Sequence, residues 1–256
     1  VDICRCVEAS QSIESKERMI MSIVESHNSG FGARQKAVIH KAVHSMVEEG
    51  KADILTLYDK LTGDEVQANL SDQLIDTLSF LENFKCSDKS WGEFLSESKE
   101  IVVISTNSVN SSGGSGLIDL LLMSLYFYQQ KNNTKQTLSI FIDEIKSQNL
   151  AASGPICKLL TECRKDKIGL NFATQYPPKS SETEMIMDNT GTKAFFTLGG
   201  RAASAAAKQL RIDAAQLDFL DIGECYIKGS FYNKAQGKCV PTVVHGTTYR
   251  NFVKKK

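Results

Sequence analysis

The segment from Leu138 to Ile142 reads LSIFI and runs directly into Asp143 and Glu144. A short, nearly continuous apolar run predicts a strand buried in a sheet. In open α/β sheets, ligands gather at the carboxyl ends of the strands. Two adjacent carboxylates at such an end can divide the labour. Asp143 suits Mg²⁺, a hard cation that takes oxygen ligands. Glu144 suits a base that removes a proton from water attacking a γ-phosphate. The plainer reading is that this acidic pair opens a solvated helix.

Three further features join this pair. Pro155 to Asp166 carries Ile156, Leu159, Leu160 and Cys163 on one stripe, predicting a helix that ends in Glu162-Cys163-Arg164-Lys165. Helical spacing puts Arg164 at the edge of that stripe, able to project a planar, permanently charged guanidinium towards a neighbouring subunit. Its plainer role is a cation near a helix carboxyl end. Gly169 to Thr174 then predicts a strand with Thr174 and Gln175 at its carboxyl end, where Gln175 can orient water or sense a γ-phosphate. Arg201, just after Gly199-Gly200, is placed to approach a phosphate. Lys193, Lys208 and Arg211 extend this cationic series, the last two as solvated helix surface.

Elements of alternating type must position these groups. Glu14 to Ser26, Arg34 to Glu49 and Ser71 to Leu81 predict amino-terminal helices, the second stopped by Gly50. Ile101 to Ile104 predicts a strand buried on both faces. Ser105 to Gly116 predicts a loop, and Leu117 to Gln130 an apolar helix. Lys193 to Leu198 predicts a fourth strand and Ala202 to Leu210 an Ala-rich helix. Strand alternating with helix implies an α/β fold with a mainly parallel, helix-covered sheet. The tail differs. Cys225 to Ser230 and Lys238 to Val244 flank Asn233 to Gly237, predicting an edge hairpin in which Pro241 is tolerated.

Composition excludes other classes. The 256 residues are 41% hydrophobic and 23% charged, with 30 basic against 30 acidic side chains. That balance argues against a uniformly basic nucleic-acid coat and an acidic disordered tail. No apolar run approaches the roughly 18 residues that span a bilayer, so no membrane partner is expected and the cytoplasm is the default. Seven scattered cysteines without a C-x-x-C pair argue against a disulfide framework or zinc ribbon. His40, His44 and Glu48 share one helical face, as a metal site or as ordinary polar surface. Trp91 with Phe94 and Leu95 predicts a core anchor.

The order LSIFIDE, ECRKDKIGLNFATQ and DNTGTKAFF resembles the additional-strand ATPases of the HerA/FtsK type, over about residues 101–200. The resemblance implies a RecA-like sheet, ATP and Mg²⁺ as cofactors, DNA as partner and a self-assembled, usually hexameric ring. It makes Asp143 the Mg²⁺ residue, Glu144 the catalytic base, Gln175 the sensor and Arg164 a finger acting in trans. Within this group, GECYIKGSFYN, VPTVVHGTTYR and TGTKAFFTLGGRA look most like the ATPase subunit of phosphorothioation-dependent DNA restriction systems. That implies defence, with other restriction subunits as partners.

One element of the pattern is missing. The Walker A loop, G-x-x-x-x-G-K-[ST], is not in the sequence. Ser112 to Gly116 is glycine-rich, but Leu117-Ile118-Asp119 follows it. With Val1 in place of Met, the sequence is expected to be the carboxyl-terminal part of a longer ATPase, poor at binding ATP alone. It divides into a mostly helical section, 1–95, and the second half of a RecA-like core with its terminal hairpin, 96–256. Two rival readings are an inactive interaction or oligomerisation module and a conjugation or secretion motor.

Overall fold

The computed structural model describes residues 12–27, 31–62, 89–97, 101–104, 111–132, 137–145, 154–175 and 181–247, with Cys4, Gln148 and Leu150. The chain forms two compact units, Val1–Phe172 and Ala173–Lys256.

The first unit begins with helices α1 (Ile13–His27), α2 (Ala33–Glu48) and α3 (Ile54–Thr62). Their apolar stripes are buried, with Ile20, Ile23 and Val24 on α1 and Ile39, Val43 and Met46 on α2. Gly50 ends α2 in the left-handed region, φ 69°. Its N–H reaches Val47 O and that of Lys51 reaches Met46 O, a closure that glycine adopts without steric cost. Asp53 caps α3 by accepting the Thr56 N–H at 2.8 Å. Helix α4 (Trp91–Glu97) starts in a Ser90/Glu93 capping box, with the Ser90 N–H on Glu93 Oε2 at 2.8 Å and the Glu93 N–H on Ser90 Oγ at 3.3 Å. Trp91 is 3% exposed and donates to Ser124 Oγ at 2.8 Å, a core anchor as expected. Ser124 belongs to α5 (Ser111–Asn132), which packs on α1.

His44 ties α1 to α2. Its Nδ1 lies 2.5 Å from Glu17 Oε1 and its Nε2 lies 3.3 Å from Glu48 Oε1. The Glu17 hydrogen bond and then the Glu48 charge raise the His44 pKa above 6.5. A group whose pKa is higher folded than unfolded stabilises fully below its unfolded pKa and loses that contribution as pH rises through the folded value. The first unit should therefore melt at a lower temperature at about pH 9 than at about pH 6, and His44→Gln should flatten this difference. An unchanged slope in the variant would remove His44 as the cause. His40 on the same helix is exposed, and no group of three His, Cys, Asp or Glu side chains suited to a metal occurs among the described residues.

After α5 come β1 (Leu138–Ile142), α6 (Pro155–Glu162) and β2 (Ile168–Phe172). The strands pair in parallel, from Leu138 opposite Ile168 to Ile142 opposite Phe172. Strand, covering helix and parallel strand are the expected α/β pattern.

Four sequence expectations change here. Ile101 to Ile104 forms no strand; Ile101 is 90% and Val103 84% exposed. A β-branched run supplies propensity, but a ladder needs a neighbouring edge, and β1 has only β2 beside it among the described residues. Helix α5 starts at Ser111, inside the expected loop, because propagation from a long buried apolar segment outweighs the local cost of glycine. β1 is less buried than its composition suggests, with Phe141 78% exposed. Helix α6 ends at Glu162, so Arg164 and Lys165 lie in the following turn. The predicted helix over Ser71 to Leu81 lies outside the described residues.

The second unit contains α7 (Ser181–Asn189), β3 (Lys193–Phe195), α8 (Gly200–Leu210), α9 (Ala215–Asp218), β4 (Glu224–Asn233) and β5 (Lys238–Thr247). Ala203, Ala206, Ala207 and Leu210 of α8 pack with Phe195 and Leu217. The fourth expected strand is shorter than predicted and does not join the parallel sheet. β3 pairs antiparallel with β4, and the Leu198 N–H turns to Leu217 O at 3.2 Å. The expected hairpin is present. Asn233 Oδ1 accepts from the Ala235 and Gln236 N–H groups, and Gly237 supplies φ 62° at the turn. Pro241 stands on β5, an outer strand of the order β3-β4-β5 among the described residues, where a missing donor costs least.

Candidate functional site

Parallel pairing brings the carboxyl ends of β1 and β2 side by side at Ile142 and Phe172. Asp143 and Glu144 leave β1 at that end, and Ile145, 3% exposed, anchors the chain beyond them. Asp143 is exposed and Glu144 half-exposed. Glu144 adopts φ 49°, in the left-handed region. Its N–H donates to Asp143 Oδ1 at 2.9 Å. An L-residue pays roughly 1–2 kcal/mol for that conformation, and such strain concentrates where a side chain must be aimed. The two carboxylates are thereby made unequal. Asp143 Oδ1 is engaged by the backbone, while Oδ2 lies outside that bond. One exposed carboxylate oxygen fits a Mg²⁺ ion, which keeps most of its waters.

Arg164 stands at the other end of the strands. The turn after α6 runs back into β2, the Ile168 N–H closes on Cys163 O at 3.0 Å, and Lys167 takes φ 57°. The Leu138 N–H, at the start of β1, donates to Lys167 O at 3.0 Å. The ends of the five-residue strand β1 lie about 13 Å apart. Arg164 is exposed and makes no ion pair with a described residue. Arg164 and the two carboxylates therefore leave the backbone at opposite ends of the strands, and the helical-wheel placement gives way to a turn.

Thr174 and Gln175 follow β2 as exposed residues two and three positions beyond Phe172. They begin the second unit, to which Arg201 also belongs. Arg201 is exposed in the first turn of α8, after Gly200 at φ 58°. Asp218 Oδ1 lies 3.7 Å from where a Cβ on Gly199 would sit, so an acid already stands beside this helix amino terminus. Sequence reasoning missed two features of the first unit. One is the left-handed backbone at Glu144, for which a glutamate carries no signal. The other is Asn171, whose Nδ2 donates across the ladder to Ile140 O at 3.3 Å.

No protein-family model and no curated protein matches the chain. Solved structures do. VirB4 of Thermoanaerobacter pseudethanolicus superposes with a TM-score of 0.64 at 11% identity, over 99% of this chain and 75% of that one. The unbound bacterial conjugative coupling protein TrwBΔN70 gives 0.58 at 13%, over 93% and 69%. The plasmid coupling protein TrwB in complex with the non-hydrolysable GTP analogue GDPNP gives 0.56 at 13%, over 93% and 68%. The chain has the RecA-like α/β fold of these proteins.

Proposed function

We propose that this chain is part of an ATP-hydrolysing motor of the HerA/FtsK type that acts on DNA as a ring of identical subunits. The observation that carries this reading is the Asp143-Glu144 pair at the carboxyl end of a parallel strand, with Glu144 held in a left-handed conformation. Asp143 would hold Mg²⁺ through its free oxygen, and the ion would offset charge on the phosphate oxygens. Glu144 takes a proton from the attacking water at its carboxylate. The resemblance gives Gln175 the sensor role, Thr174 and Arg201 contacts to phosphate, and Arg164 a reach to the site of an adjacent subunit. With no Walker A motif among the 256 residues, the phosphates would be cradled by a segment outside them, in the same protein or in a partner. The helical section, 1–95, would then flank the catalytic core half, 96–256.

Two settings have their own support. The likeness to VirB4 and TrwB favours a conjugation or secretion motor. The segments GECYIKGSFYN and TGTKAFFTLGGRA favour the ATPase of a phosphorothioation-dependent restriction system, with its partner subunits. ATPase activity of the full-length protein should rise with duplex DNA. A restriction motor should distinguish phosphorothioated from unmodified duplex, and a conjugation motor should not. Turnover that neither DNA changes would remove DNA as the track. No nucleotide binding or turnover by the full-length protein would favour an interaction module.

A further inference from the structure

We propose that Tyr126 is a positioning residue for Arg164. It acts through Glu162, and the inference rests on the trans-acting role given to the arginine above. Tyr126 lies on α5 and is 1% exposed. Its hydroxyl donates to Glu162 Oε2 at 2.5 Å and accepts from Gln130 Nε2 at 3.1 Å. Glu162 is the last residue of α6 and stands two positions before Arg164. Lys165 Nζ lies 3.2 Å from the same Glu162 oxygen. Lys158 Nζ lies 5.3 Å from the Phe127 ring centroid and 5.8 Å from that of Tyr126, so α6 is also fastened one turn earlier.

The backbone passes this constraint on. The Cys163 N–H reaches Leu159 O at 2.7 Å, and those of Asp166 and Ile168 both reach Cys163 O, at 3.1 and 3.0 Å. The turn carrying Arg164 is thus closed on a residue next to Glu162. An exposed arginine with no ion pair among the described residues has no tether of its own, so its place is set by the turn beneath it. Burial pushes the Tyr126 pKa up, and the Glu162 hydrogen bond adds to this, so the hydroxyl remains a donor across the assay range. A donor that does not titrate suits a fixed strut.

The test uses the full-length assembled protein. Tyr126→Phe keeps the ring and removes the hydroxyl. It should lower kcat by about 10- to 100-fold, the scale of a misplaced catalytic group, and leave KM for ATP unchanged. In an Arg164→Ala background the same substitution should cost nothing further, because both changes remove one function. An equal fractional loss in both backgrounds would overturn the proposal, as would full turnover of Tyr126→Phe where Arg164→Ala is impaired. If Arg164→Ala itself keeps full turnover, the finger reading fails separately. Hydrogen exchange then decides the tie. Tyr126→Phe should speed exchange at the Asp166 and Ile168 amides, and unchanged protection would refute the strut.

Discussion

If Glu144 is the base of the proposed ATPase, Glu144→Gln is expected to lower ATP turnover of the full-length protein by about 10²–10⁴-fold, the range for a lost general base, while nucleotide still binds. The side chains have nearly the same shape, and glutamine at φ 49° carries a backbone penalty similar to that of glutamate. The Glu144 N–H to Asp143 Oδ1 bond is a backbone donation and survives the change. The change removes the negative charge and the ability to accept a proton. Single-turnover hydrolysis set beside equilibrium binding of labelled ATP separates the two effects. Normal turnover would take Glu144 out of the mechanism. Loss of binding together with turnover would show that the residue shapes the site instead of serving as its base. Glu144→Gly adds a control, because it relieves the left-handed strain and also removes the carboxylate. It too should fail in turnover, and an active glycine variant would mean that only the backbone conformation matters there.

On the proposed trans-finger role, Arg164→Ala should reduce hydrolysis by about 10³–10⁵-fold in the assembled full-length protein, the contribution typical of an arginine finger. It should leave folding intact, because the side chain is exposed and forms no ion pair among the described residues. The proposed trans geometry also implies how the loss can be repaired. Arg164 stands at the amino ends of β1 and β2 and Glu144 at the carboxyl end of β1. With the strand ends about 13 Å apart, one subunit does not present both groups to a single phosphate. A mixed ring of Arg164→Ala and Glu144→Gln subunits contains interfaces where an intact arginine faces an intact glutamate. Activity should return in that mixture and be absent from either parent ring. Native mass spectrometry first establishes that the mixture assembles. An assembled but silent mixture would leave the trans finger without support. Activity in the Arg164→Ala ring alone would show that the arginine is not needed.

The legibility of the fold followed the range of the interactions concerned. Helices α1 and α2 were readable because an apolar stripe repeats with the helical period and Gly50 marks a stop. The hairpin was readable because Asn233, Gly237 and Pro241 each have a conformational requirement that few other sites meet. The placement of the acidic pair was likewise local, since an apolar strand delivering two carboxylates is visible in seven consecutive residues. The position of Arg164 was not legible. The helical wheel assumed that α6 continues, whereas a left-handed Lys167 and the Ile168 to Cys163 closure end it in a turn.

The sequence by itself determined periodicities, turn chemistry and the order in which charged groups leave their strands, because these depend on residues a few positions apart. Only the tertiary structure decided which edges meet. Ile101 to Ile104 and Lys193 to Leu198 carry similar apolar patterns. The first nevertheless stands exposed outside any strand, and the beginning of the second pairs antiparallel with β4. Tyr126 and Glu162 are 36 residues apart and become partners only when α5 and α6 pack. A strand or a buried donor is completed by a group remote in the chain, and short-range pattern does not specify that partner.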